Sequence, residues 1–206
     1  MNYIKKLILF IAVVSSVPAL AYDIDTHFYG TYSMARFAGI RHEVALKIAT
    51  ATQWMDESYI SDPVSMILLP QTGLKKRRLL HFPASRLANK LTVDQIKIPF
   101  FDPSSNLPLK VLTETEAEHE FATELFTEGL MEGNLMKAGA GLHTLEDSFA
   151  HAGTFSELGH AHFWHNVDRP FIDEANVEKY FMMTRAVFKA MVAIRSLLPM
   201  DAIGTA

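Results

Sequence analysis

The sequence predicts an all-α protein with one domain, and three features of its 206 residues lead to that prediction. Hydrophobic residues make up 49% of the chain and charged residues 20%, which is the composition of an ordinary globular protein. Apolar residues recur at helical spacing over several long segments. No linker, internal repeat or low-complexity tract divides the chain, so we expect a single domain.

The first 21 residues have the pattern of a secretory signal peptide. Two lysines precede an apolar run at residues 7–14, and residues 19–21 (Ala-Leu-Ala) match a small-x-small cleavage site. The apolar run is shorter than the ~20 residues that a membrane-spanning helix needs. We therefore expect cleavage after Ala21, export to the periplasm or beyond, and a mature domain of residues 22–206 without a transmembrane segment.

Cysteine is absent from the chain, whereas histidine occurs nine times. The absence of cysteine excludes disulfides, thiolate zinc sites and cysteine nucleophiles. The formal net charge of −4 gives no indication of a strongly basic nucleic-acid-binding protein. An exported protein without disulfides needs another source of stability, and bound metal is the obvious candidate.

Capping residues and apolar spacing predict five helices in the mature chain. In the last of them, which we expect Asp173 to cap, Phe181, Phe188 and Met191 are spaced for burial. Prolines interrupt residues 57–110, which we interpret as functional loops and short helices. The helices are predicted over residues 26–37, 41–55, 113 or 115 to 131, 134–152 and 173–198.

The strongest functional signal is the run His143-Thr-Leu-Glu-Asp147-Ser-Phe-Ala-His151. Its two histidines and Asp147 recur at i, i+4 and i+8, so one helical face presents all three. Metal binding needs neutral imidazoles and a carboxylate that converge at about 2.0–2.2 Å from Zn²⁺. The small residues 138–141 would let a neighbouring helix and its ligands approach closely. A solvated polar face is the weaker alternative, because more histidines follow.

A second cluster of histidines lies between residues 159 and 170. His-rich tracts are typical of metal binding, and Asp168 adds a hard carboxylate ligand. We expect His162 to be exposed, whereas spacing alone leaves His160 and His165 as equal candidates.

Three further candidates stand alone in the sequence: His27 at the start of the first helix, Asp56 at the end of the second, and His81 before a Phe-Pro pair. Taken singly, each would most often be a surface or capping residue. We assign His42 and His119 to that ordinary role.

The order of these residues resembles the zinc-dependent phospholipase C and single-strand-specific nuclease superfamily, and most of all a poorly characterised bacterial branch of it. Those proteins are exported, nearly all-α enzymes that hold three zinc ions. Their mature N-terminal residue binds zinc through its amino group and carbonyl, and a histidine follows five residues later. Tyr22 and His27 have that separation if cleavage follows Ala21.

The resemblance implies a compact multi-helix domain with three zinc sites. The first site would be held by Asp56, His81, His143 and Asp147. The second would be held by Tyr22, His27 and a bridging Asp147. The third would be held by His151, Asp168 and either His160 or His165, of which the local pattern at Gly159-His160 favours His160.

The implied function is that of an exported, phospholipase C-like phosphodiester hydrolase, in which a metal-activated water attacks phosphorus and Asp56 accepts a proton. We expect a small phosphodiester or phospholipid substrate. The basic residues 75–78 would meet a phosphate or the surface of a membrane, and no protein partner is indicated. A single-strand nuclease, with Trp54 or Trp164 as a stacking platform, is one alternative. A metal-stabilised protein without catalytic activity is the other.

Overall fold

The computed structural model describes residues 24–58, 61, 80–81, 83, 115, 117–118, 120–154, 167–196 and 198. This part of the chain is predominantly helical and contains no β-strand, so the predicted all-α class is confirmed. No helix within it is long and apolar enough to cross a membrane. The elements are a π-helix at Asp25–Gly30, α1 (Thr31–Phe37), α2 (His42–Glu57), α3 (Glu120–Met131), α4 (Leu135–Ala150) and α5 (Glu174–Arg195).

The main difference from the predicted boundaries is at the start of α3, which begins at Glu120. Thr115 lies outside the helix, because its backbone pairs with the chain that follows α4. Its N–H donates to the carbonyl of Thr154 at 2.8 Å, and its carbonyl accepts from the N–H of Gly153 at 3.2 Å. This pairing connects the chain before α3 to the end of α4.

Helix α4 is the central element, since it packs against α2, α3 and α5. Its N-cap is Asn134, whose side chain accepts from the backbone N–H of Lys137. Apolar residues of all five α-helices meet around it in one core. Unusually for a core helix, α4 also buries several polar side chains completely. These are His143, Thr144, Glu146, Asp147 and Ser148.

Glycines in α4 bring two neighbouring helices into close contact with it, as the small residues predicted. A Cβ atom at Gly139 would lie 2.4 Å from the Cβ of Ala51 in α2. A Cβ atom at Gly141 would lie 2.3 Å from the backbone nitrogen of Phe126 in α3. Both distances are too short for a real side chain, so these crossings require glycine.

Asp173 caps helix α5 as predicted. The Asp173 side chain accepts a hydrogen bond from the backbone N–H of Asn176 at 2.8 Å. The predicted burial of Phe181 and Phe188 is wrong, because these rings are 59% and 39% exposed. The helix carries two apolar stripes, and the periodicity does not distinguish which one faces the core. The buried stripe consists of Met183, Val187, Met191 and Ile194.

Candidate metal centre

Residues from three separate parts of the chain meet side chains of α4. Beyond the crossing of Gly139 with Ala51, α2 and α4 continue in the same direction, so the last turn of α2 brings Asp56 opposite α4. His27 comes from the π-helix, and His81 comes from the chain between α2 and α3. All of these side chains are completely buried.

Four donor atoms form the first cluster: Asp56 Oδ1, His81 Nδ1, His143 Nε2 and Asp147 Oδ2. His81 Nδ1 lies 3.0 Å from both His143 Nε2 and Asp147 Oδ2, and the latter two are 3.2 Å apart. Asp56 Oδ1 lies 3.6 Å from His81 Nδ1 and 3.5 Å from His143 Nε2. Ligands at about 2.0–2.1 Å from a tetrahedral zinc ion are themselves separated by about 3.3–3.4 Å. The spacing therefore fits a tetrahedral metal ion.

The second cluster consists of His27 Nε2 and the remaining oxygens of the two aspartates. His27 Nε2 lies 3.3 Å from Asp147 Oδ1 and 3.7 Å from Asp56 Oδ2. Each carboxylate thus presents one oxygen to each cluster. The bridging position predicted for Asp147 has a counterpart in Asp56, which the resemblance assigned to the first site alone.

The electrostatics of the first cluster also suit a metal ion. Burial raises the pKa of Asp56 to about 7. The charge of His27 opposes this rise, and the charge of Asp147 adds to it. Burial lowers the pKa of His143 to about 3, so its imidazole is neutral, as a ligand must be.

Burial alone would raise the pKa of Asp147, but the imidazoles that face its carboxylate hold that pKa well below its ordinary value. Asp147 is therefore ionised, which is the form that binds metal. Within the described part of the chain, no group donates a hydrogen bond to either oxygen of Asp56 or to Asp147 Oδ1. A buried carboxylate oxygen without a hydrogen-bond donor destabilises the fold unless the carboxylate is paired with a charge or coordinates a metal ion. The buried His and Asp side chains could therefore hold a metal ion.

A backbone carbonyl fixes which ring nitrogen of His81 faces the first cluster. The carbonyl of Ser61 accepts from His81 Nε2 at 2.6 Å. Because a carbonyl only accepts, Nε2 carries a proton, so the lone pair of a neutral His81 is on Nδ1 and points at the cluster. Metal-ligating histidines are typically oriented by such a second hydrogen bond.

The sequence pattern of one protein family matches residues 22–166, which is more than half of the chain. The chain belongs to DUF6765, a family of unknown function. The matched segment of this DUF6765 protein contains every member of both clusters. No curated protein and no solved structure matches the chain.

A third group in the DUF6765 protein pairs His151 with Asp168. The carbonyl of His81 accepts from His151 Nδ1 at 3.0 Å, which leaves His151 Nε2 facing Asp168 Oδ1 at 3.3 Å. The structure thus brings these two predicted ligands together, and both are buried. The other candidates, Tyr22, His160 and His165, lie outside the described residues, as do His119 and His162. His42 is exposed in the first turn of α2, in keeping with its ordinary role.

Glu146 is the site residue that the sequence interpretation missed. Its carboxylate is completely buried, and Oε2 lies 2.5 Å from His27 Nδ1. A signal for it existed, because Glu146 directly precedes Asp147 in the middle of a helix and follows His143 by three residues. At that spacing it lies on the same side of α4 as His143.

The two glycine crossings allow a matched test of the first cluster. Gly139→Ala and Gly141→Ala should each destabilise the fold by about 1–3 kcal/mol or more, because each added methyl group overpacks a helix contact. Only Gly139→Ala displaces α2, which carries Asp56, so only this variant should also bind zinc more weakly. Thermal melting and competition with a zinc chelator measure the two effects. Equal zinc affinity in the two variants would contradict the proposed role of the α2–α4 contact.

Proposed function

We propose that this DUF6765 protein is an exported, zinc-dependent phosphodiester hydrolase of the phospholipase C type. One observation carries the proposal: Asp56 and Asp147 each present one oxygen to each of two adjacent clusters that contain histidine. Two carboxylates shared in this way are suited to hold a pair of metal ions close together, as in two-metal phosphoryl-transfer sites. The order of these ligands along the chain supports the same assignment.

Bound divalent ions would acidify a water molecule toward neutral pH and offset the negative charge of a phosphate. Asp56 would take up the proton of the attacking water at an oxygen of its carboxylate. His143 presents a neutral nitrogen to the cluster, and the hydrogen bond from His81 Nε2 to the carbonyl of Ser61 directs His81 Nδ1 toward it. Two divalent ions would bring four positive charges against the three buried carboxylates Asp56, Glu146 and Asp147, so the loaded site would attract an anionic phosphodiester.

The resemblance extends the proposal to three zinc ions. The amino group of Tyr22 would complete the second cluster after cleavage of the signal peptide. His151 and Asp168, together with His160, would hold the third ion. The family match begins at Tyr22, the residue that the expected cleavage would expose.

The nuclease alternative gains no support from Trp54. Its side chain is 52% exposed, but it precedes Asp56 by two positions in α2. Residues two apart are about 200° apart around a helix, so Trp54 faces away from the cluster. It is therefore poorly placed to stack a base beside the site.

The decisive experiment is a phosphodiesterase assay of the mature protein with confirmed zinc content. The substrates are bis(p-nitrophenyl) phosphate, phosphatidylcholine in mixed micelles and single-stranded DNA, each with and without EDTA. We expect hydrolysis of the first two, loss of activity with EDTA and recovery with added zinc. Hydrolysis of DNA alone would favour the nuclease, and no hydrolysis at all would overturn the enzymatic proposal.

A matched pair of variants connects that activity to the cluster. Asp56→Asn should lower kcat by about 100-fold or more, since it removes a metal ligand and a proton acceptor. Glu57→Gln, one residue further along α2, changes an exposed carboxylate and should leave kcat unchanged. If both variants retain full activity, Asp56 has no catalytic role.

A further inference from the structure

We propose that Glu146 is a positioning residue, which holds the imidazole of His27 so that Nε2 faces the second cluster. The inference rests on the proposed metal binding, and it assigns to Glu146 a selective effect on one of the two ions.

The contacts of Glu146 show that it acts through His27. Its Oε2 lies 2.5 Å from His27 Nδ1, and its Oε1 accepts a hydrogen bond from the hydroxyl of Thr31. Both carboxylate oxygens are therefore engaged on the side of His27 that faces away from the aspartates. His27 Nε2, across the ring, is the atom that lies 3.3 Å from Asp147 Oδ1.

A hydrogen bond to a carboxylate selects one tautomer of a neutral imidazole. When His27 Nδ1 carries the proton and donates to Glu146, Nε2 keeps its lone pair for a metal ion. Carboxylate–histidine–metal arrangements of this kind orient the ring and make the ligand more basic. Glu146 is thus placed to set both the direction and the protonation of His27.

The spacing of His27 and Thr31 explains how both reach the same carboxylate. His27 lies within the π-helix, and Thr31 follows it at the first position of α1. Four residues, about one helical turn, separate them, and both side chains contact Glu146. π-helical turns are rare and are frequently found at functional sites. Here the contacts of His27 and Thr31 with Glu146 hold this turn against α4.

Different groups orient the histidines of the first cluster, so the proposed effect of Glu146 is confined to the second cluster. The carbonyl of Ser61 orients His81, and His143 belongs to α4 itself. Removal of the Glu146 carboxylate should therefore weaken the second ion by about 10–100-fold and leave the affinity for the first ion unchanged.

The test compares wild-type mature protein with Glu146→Gln by competitive zinc titration and elemental analysis. We expect two strongly bound ions in the wild type at these clusters, and selective weakening of one ion in the variant. Thr144→Val is the control, since it removes a buried hydroxyl of α4 that donates to the carbonyl of Ala140. It should leave both affinities unchanged.

Nitrogen-15 NMR of the histidine rings in the zinc-loaded protein gives a second readout. The wild type should show His27 with a proton at Nδ1 and none at Nε2, and Glu146→Gln should lose this pattern. Thr31→Val should weaken binding of the second ion less than Glu146→Gln does. Thr31→Ser keeps the hydroxyl and should bind the second ion as tightly as the wild type. The Thr31 variants keep the proposal testable if Glu146→Gln fails to fold.

The outcomes separate this inference from the proposed function. If the wild type binds zinc in neither cluster, the metal-dependent function itself fails. If it binds two ions and Glu146→Gln binds both with unchanged affinity, Glu146 is not a positioning residue. Equal weakening of the binding of both ions, or a zinc-loaded wild type in which His27 keeps a proton at Nε2, would also overturn the proposal.

Discussion

Asp147→Asn is expected to lose more than one equivalent of zinc and nearly all hydrolytic activity. The reason is that Asp147 serves both clusters: Oδ2 lies 3.0 Å from His81 Nδ1, and Oδ1 lies 3.3 Å from His27 Nε2. Asparagine has one oxygen, so it can serve one cluster at most. Its amide NH₂ would then face the other cluster, where it can donate only.

Zinc content by elemental analysis and kcat for bis(p-nitrophenyl) phosphate measure the effect of Asp147→Asn. Asp173→Asn is the matched control, because it makes the same change at the N-cap of α5, where both residues cap well. The control should keep full zinc content and activity. Loss of a single equivalent from Asp147→Asn would show that Asp147 does not bridge, and loss of none would show that the ligand assignment is wrong.

Removal of metal is expected to lower the melting temperature by roughly 10 °C or more. An ion that binds only the folded state, at a free concentration about 1,000 times its Kd, stabilises that state by about 4 kcal/mol. In a domain of this size, each 1 kcal/mol corresponds to roughly 2–4 °C. The chain has no cysteine, so disulfides do not maintain the fold when the metal is removed.

Thermal melting with zinc, after chelation and after zinc is restored measures this change. A reducing agent is the control and should have no effect. If elemental analysis confirms that the metal has been removed and the melting curve is unchanged, the clusters do not contribute to stability through bound metal.

Residues that share one helix could be placed from the sequence. The i, i+4 and i+8 spacing predicted one helical face for His143, Asp147 and His151; the first two lie on one side of α4, and His151 is its C-cap. The small residues of α4 predicted the close approach of α2. These predictions work because the geometry of a helix is fixed by its backbone.

Features that depend on tertiary packing could not be read in the same way. Helical periodicity allowed Phe181 and Phe188 to be buried, but α5 turns another stripe toward the core. Spacing put Glu146 beside Asp147 but did not indicate that its carboxylate reaches His27. The contact of Asp56 with both clusters, one through each oxygen, depends on where α2 crosses α4. No local sequence pattern specifies that crossing angle.

Residue 81 connects two groups of the site through two different parts of one amino acid. Its side chain belongs to the first cluster, while its backbone carbonyl orients His151 in the third group. A rotation of the peptide at this position would therefore disturb both groups at once. The two groups are therefore connected through the backbone of a single residue.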